Sequence, residues 1–159
     1  MCMSWIKTGF IVAALGGAVL PLGAAQAQSS PFIGRWHLNI GQSTRPQGDI
    51  PPADLSTDIA RLDDMHVHWS TTTTDAKGQK SVETFDTPGN GEFYSLDGDT
   101  MVSHRLSPTR VQSTFKDANG QTDVLTCTLS DDARKMSCSG VITHQDGSVA
   151  NYVDMFDRV

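Results

Sequence analysis

The chain has 159 residues, with 18 acidic residues against 12 Lys and Arg, a formal net charge of −6 and 38% hydrophobic residues. This is enough chain for one real core. No Lys/Arg cluster offsets the acidic balance, so the surface repels nucleic acid and anionic membrane, and both partner classes are set aside.

Residues 1–27 read as a secretory signal peptide: Lys7 supplies the positive n-region, residues 10–22 the apolar core, and Ala25-Gln26-Ala27 the small residues of a cleavage site. The apolar run of about 13 residues falls short of the roughly 20 that span a bilayer, and Pro21 interrupts its end. An uncleaved anchor is the alternative. Cys2 precedes the apolar core, so no cysteine stands where lipid attachment would need one. The expectation is a soluble periplasmic or secreted product, residues 28–159, folding as a single β-barrel domain. Lys7 is the only charged residue removed, which leaves 11 basic against 18 acidic residues.

From residue 34 onward, short runs rich in Val, Thr, Phe and Trp alternate with Gly, Asp, Asn and Pro clusters, the pattern of sequential β-hairpins. The first run, 34–40, sets Trp36, Leu38 and Ile40 on one face and Arg35, His37 and Asn39 on the other; a Pro/Gly-containing loop follows at 42–52. Further strands are predicted at 56–62, 65–73, 80–85, 91–95, 101–106, 110–115, 122–129, 134–143 and 148–156. Turns fall at Asp75-Ala76-Lys77-Gly78, Asp97-Gly98, Ser107-Pro108, Asp117-Ala118-Asn119-Gly120 and Asp146-Gly147, with a very tight one at 62–65. The first and fourth of these look alike, either because two hairpins use the same turn chemistry or because a half-barrel is duplicated. Nine or ten short strands joined this way predict an all-β, antiparallel up-and-down barrel of 8–10 strands, since closure removes exposed edges.

Cys127 and Cys138 remain in an oxidising compartment, with no C-x-x-C and no nearby histidine pair to favour metal or redox chemistry. Centring the intervening turn on Asp132-Ala133 sets Cys127 opposite Cys138 and Leu129 opposite Met136. Directly opposed residues are close enough for a disulfide. Leu125, Cys127, Leu129, Met136 and Cys138 then share one face, so the bridge points inward. Its short loop predicts about 2–3 kcal/mol of stabilisation.

Three groups are candidates for chemistry. His66 and His68, at i and i+2 on a strand, could chelate a metal, but they lie opposite Met65, Val67 and Trp69 and so face solvent as a polar surface; His37 shares that character. His104 follows the parity of Val102 and Leu106 and points inward, either as a hydrogen-bonded core residue or as a ligand contact or general base. The acidic triplet around Gly98 lacks the closing glutamate of a calcium loop, and no serine lies in a G-x-S-x-G elbow. The residues expected to line a cavity are Val67, Trp69, Phe85, Tyr94, Val102 and His104. No cofactor and no resident metal are expected.

Gly34-Arg35-Trp36-His37-Leu38-Asn39 followed by Gln42-Ser43 resembles the G-x-W-x-L-N…K-S start of a family of secreted bacterial lipocalin-like proteins of largely unknown function. The D-A-x-G turns at Asp75 and Asp117, the Ser-Asp-Asp turn at Ser130 and the ending Phe156-Asp157-Arg158 fit the same family. Gln42 replaces its lysine, and residues 87–99 depart from its usual loop. The resemblance implies that Trp36 plugs one barrel end, with Arg158 packed over it in a cation–π contact. Three functions are compatible with this reading. The first is binding of a small apolar or aromatic molecule inside the barrel. The second is a periplasmic protein–protein module, such as an inhibitor of a cell-wall hydrolase. The third is an isomerase or lyase using His104.

Overall fold

The computed structural model describes residues 29–97 and 100–159. The leader, one expected turn and the calcium candidate, which need residues 1–28 or 98–99, lie wholly or partly outside the described residues.

Ten strands form among the described residues: β1 (Gly34–Leu38), β2 (Asp54–Asp63), β3 (His66–Thr74), β4 (Lys80–Thr87), β5 (Tyr94–Asp97), β6 (Thr100–Ser107), β7 (Arg110–Asp117), β8 (Thr122–Leu129), β9 (Lys135–Thr143) and β10 (Val149–Arg158). They pair in one sheet in the order β4-β3-β2-β1-β10-β9-β8-β7-β6-β5. Every ladder is antiparallel, and β1 meets β10 through Trp36 opposite Arg158. The fold is therefore an up-and-down barrel, closed except for a seam between β4 and β5. The connecting segment packs tightly at Gly89, where a Cβ would meet the Asp63 carbonyl and Leu106 Cδ1, each at 2.7 Å. An isolated bridge from Asn90 to Arg105 follows.

The hairpins turn by repeated local chemistry. Asp75 Oδ1 accepts from the Lys77 and Gln79 amides, each at 2.8 Å, and Asp117 Oδ1 accepts from Asn119 and Gln121 in the same way. Gly78 and Gly120 each donate back to the aspartate carbonyl. The carboxylate satisfies turn amides while glycine supplies positive φ, so the likeness of the two segments has a local cause.

Two expected positions differ. The first strand ends at Leu38, because Asn39 turns the chain into a short 3-10 segment, Ile40–Gln42, and its side chain accepts from the Gln42 amide. Ile40, expected on the buried face, is consequently exposed. Met65 sits in the tight turn between β2 and β3 and is 77% exposed, whereas Val67 and Trp69 of the same parity are buried. A third feature was not expected: the β2–β3 register shifts between Ile59 and Arg61. This bulge inserts one residue and reverses the parity, so Ile59 and Leu62, three apart, are both buried.

The core runs down the barrel axis. At one end Trp36 is fully buried, and its indole N–H donates to the Phe32 carbonyl at 2.9 Å. Arg158 covers it, with the guanidinium carbon 4.1 Å from the ring centroid. The same guanidinium donates to the Ala133 carbonyl at 2.7 Å, to the Ile33 carbonyl at 2.9 Å and to the Pro31 carbonyl. Gly34 makes room for it: φ is +137° there, and a Cβ would stand 2.7 Å from Arg158 Nη1. The Cys127–Cys138 disulfide bridges directly opposed residues of β8 and β9, 4.0 Å apart at Cα, and both cysteines are 1% exposed. No helix among the described residues is long and apolar enough to cross a membrane.

Candidate binding cavity

The barrel is filled at the Trp36 end and opens toward the other. β3 and β4 alternate in register, Val67 opposite Thr87 and Trp69 opposite Phe85, so their even-spaced apolar residues enter the interior together. Trp69 meets Phe85 edge to face at 6.4 Å, and Phe115 of β7 tilts against Phe85 at 5.4 Å. A cavity of about 140 Å³ remains beside these rings, bounded also by Leu125, Phe156 and Asp154. Leu55 and Asp154 also belong to the wall of a second, outer cleft of about 450 Å³. That cleft lies under Ile50, Pro51 and Pro52 of the β1–β2 loop and against the Asp75–Lys77 turn. The two spaces share Leu55 and Asp154 as wall residues. A larger groove of about 680 Å³, bounded by Ser29–Pro31 and Leu106–Pro108, shares no wall residue with the interior cavity.

The open end carries a polar network absent from the sequence expectations. The inward parity of β10 sets by Phe156, and it brings Tyr152 and Asp154 to the interior. Tyr152 lies flat over Gly140, where a Cβ would meet its Cζ at 2.0 Å. Its hydroxyl donates to Asp123 Oδ2 at 2.7 Å. Arg45, from the β1–β2 loop, donates to Asp154 Oδ1 at 2.5 Å and stacks over Tyr152 at 5.8 Å. Asp49 sits 3.8 Å from the same guanidinium. The loop is pinned beside Arg45 by a bridge between Thr44 and Val153. Burial pushes the Asp123 and Asp154 carboxyls up, Arg45 pulling the latter partly back, and burial also pushes the Tyr152 hydroxyl up. Asp123 Oδ1 is buried with no hydrogen-bond partner.

Of the six residues expected to line a cavity, Trp69 and Phe85 stand on its wall. Val67, Val102 and His104 are fully buried but are not wall residues. Tyr94 lies half-buried on β5, and its hydroxyl accepts from Asn90 Nδ2 at 2.8 Å. His104 Nδ1 shares a 2.8 Å hydrogen bond with Ser113 Oγ, and Ser113 is itself a wall residue. The imidazole packs edge to face on Phe85 at 5.9 Å, while its Nε2 is buried without a partner. Burial pushes its pKa down to about 4, so the ring is neutral near pH 7. A base that weak takes up protons poorly at neutral pH.

His66 and His68 face outward and share one carboxylate, with His66 Nε2 2.6 Å and His68 Nδ1 3.6 Å from Asp86. His37 pairs with Asp54 at 2.7 Å instead. No group of three or more His, Cys, Asp or Glu side chains among the described residues could hold a metal ion.

No protein-family model and no curated protein matches the chain. Solved structures do. A point mutant of the fluorescent protein UnaG superposes with a TM-score of 0.56 at 14% identity, covering 81% of this chain and 96% of that one. The REP1-NXSQ fatty acid transporter gives 0.52 at 16% identity, covering 80% and 96%. Zebrafish ileal bile acid-binding protein, complexed with cholic acid, gives 0.52 at 16% identity, covering 82% and 100%. At such identities the likeness shows the fold alone, a barrel of antiparallel strands.

Proposed function

We propose that this protein binds a small apolar or aromatic molecule inside its barrel, admitted through the outer cleft between the β1–β2 loop and the β3–β4 turn. The observation that carries this reading is an aromatic-walled interior cavity that shares two wall residues, Leu55 and Asp154, with that cleft. Fold partners described as a fatty acid transporter and a bile acid-binding protein support it. Volume sets the scale of the ligand. An apolar cavity of about 150 Å³ accommodates one benzene, so the 140 Å³ interior takes a single ring or a short chain. Any larger part of the ligand lies in the outer cleft.

We also propose that the protein acts outside the cytoplasm. The leader-like residues 1–27, the Gly34-x-Trp36 resemblance and a disulfide in the core support this reading. Recovering the chain from the periplasmic fraction or culture medium with Gln28 at its N-terminus tests it; a cytoplasmic chain beginning at Met1 refutes it.

Binding is tested by titrating mono- and bicyclic aromatics against tryptophan fluorescence, with Trp69→Phe assigning the signal and native mass spectrometry counting occupancy. Saturable binding that disappears in Leu55→Trp, whose added bulk fills space at the wall shared by cavity and cleft, is expected. No quenching and no bound mass across the panel would sink the proposal.

A further inference from the structure

The hydroxyl groups on the interior wall hold more hydrogens than the protein around them accepts. We infer that the interior cavity receives a neutral hydrogen-bond acceptor, a carbonyl group on a small apolar or aromatic body. This deepens the binding reading and rests on it.

Two separate groups of side chains carry the surplus. His104 is wholly buried and neutral at pH 7, so its ring bears one N–H. It shares a single hydrogen bond with Ser113 Oγ, and its Nε2 has no partner. Were the proton on Nε2, a donor would be stranded in the packed core, where orphaned N–H groups are rare. With the proton on Nδ1, the ring donates to Ser113 Oγ, and a lone pair at Nε2 is all the ring leaves unused. The Ser113 O–H is then left over. Ser113 is 2% exposed and stands on the cavity wall, so an acceptor for that hydrogen comes from what fills the cavity.

The second group lies on β2 and β3. The Trp69 indole N–H donates to Thr71 Oγ1 at 3.1 Å, and Thr71 Oγ1 shares a 3.1 Å hydrogen bond with Thr57 Oγ1. The indole and the two hydroxyls bring three hydrogens to these two bonds. Whichever threonine donates to the other, one hydroxyl hydrogen is unused. Polarisation along the chain favours donation from Trp69 to Thr71 and from Thr71 to Thr57, which leaves the Thr57 hydrogen. Thr57 is also a wall residue and also 2% exposed. β2 and β7 stand third and eighth in the strand order, so the two spare hydrogens come from opposite sides of the barrel. Leaving buried donors unpaired is costly, and a carbonyl oxygen relieves that cost with two lone pairs and no hydrogen of its own.

Cyclohexanone and methylenecyclohexane share one shape and differ by an oxygen against a methylene, so the pair isolates the acceptor. Each is titrated into the purified chain at pH 7 by calorimetry, and each affinity is divided by the probe's own transfer constant from water to hexane. After that correction cyclohexanone is expected to bind at least tenfold more tightly. Its infrared carbonyl stretch should lie below the value in hexane, the sign of an accepted hydrogen bond. Ser113→Ala and Thr57→Val should each weaken cyclohexanone several-fold and leave methylenecyclohexane within twofold. Where a variant fails to fold, the corrected affinity ratio and the infrared band of the unaltered chain decide. If cyclohexanone has no corrected advantage, or its carbonyl absorbs as in hexane, the acceptor inference falls, and binding of methylenecyclohexane leaves the barrel-binding reading standing. If neither probe binds, both fall.

Discussion

Removing Arg158 tests how the closed end is held. Its guanidinium makes three hydrogen bonds to carbonyls from separate parts of the chain, Pro31, Ile33 and Ala133, and covers the Trp36 ring at 4.1 Å. A charged hydrogen bond contributes about 1.5–3 kcal/mol when buried, and the cation–π contact about 0.5–2 kcal/mol. The bond to Pro31 is solvent-exposed and is discounted to near zero. The other two are only part-buried, and water re-solvates some of what they leave. Arg158→Ala should therefore cost about 3–5 kcal/mol, or roughly 10–15 °C in Tm for a domain of this size. Urea unfolding, followed in parallel by circular dichroism and tryptophan fluorescence, measures it, with an unchanged m-value showing that the comparison is valid. Arg158→Lys separates charge from geometry. A lysine keeps the cation but cannot fork to three carbonyls, so it should recover less than half of the loss. A loss below about 1 kcal/mol in Arg158→Ala, or full recovery in Arg158→Lys, would refute the guanidinium as the clasp.

Three further outcomes follow from the core. Replacing both Cys127 and Cys138 by Ala should lower stability by about 2–3 kcal/mol, read from urea midpoints; because both cysteines are 1% exposed, reductant should leave the native bridge intact until the chain unfolds. His104 has a folded pKa near 4 against an ordinary value of 6.5, so the unfolded chain takes its proton first on acidification. Its stabilising contribution is complete above pH 6.5 and is lost as pH falls toward 4, by about 3 kcal/mol in all, while the elevated Asp123 and Asp154 carboxyls oppose that trend. His104→Phe should flatten the slope of stability between pH 6.5 and 4, and an unchanged slope would exclude the histidine as its source. Gly140→Ala forces the Tyr152 ring off its seat and should cost about 1–3 kcal/mol, visible as a lowered Tm and loss of the Tyr152–Asp123 contact.

What the sequence disclosed and what it hid divide along physical lines. Strand parity and turn chemistry act within a few residues, so the hairpins, the inward Trp69, Phe85 and His104, and the Cys127–Cys138 register were legible. The bulge at Ile59–Arg61 was not, since the three-residue spacing of Ile59 and Leu62 breaks the period-2 pattern without saying which of the two faces the core. The network at the open end was missed for a different reason. Tyr152 and Asp154 carry the same parity as Phe156, and that alone would have placed them inside. A polar residue at an inward position reads as surface until its partner is known. Here the partners, Asp123 and Arg45, come from β8 and a distant loop. The size of the cavity was not legible either, because packing at the barrel axis depends on residues from strands all around it.

The pairing of β1 with β10 bears on when the barrel can exist at all. Trp36 lies on β1 and Arg158 on β10, so the contact that seals the barrel awaits the strand that comes last of the ten in chain order. Until then the hairpins from β2 onward can form one after another, but they make an open sheet whose first strand has no final partner. A chain in which β10 cannot dock would retain the other hairpin ladders and still lose its clasp. Docking of β10 on β1, more than formation of any hairpin, is thus the event that commits this chain to a closed interior.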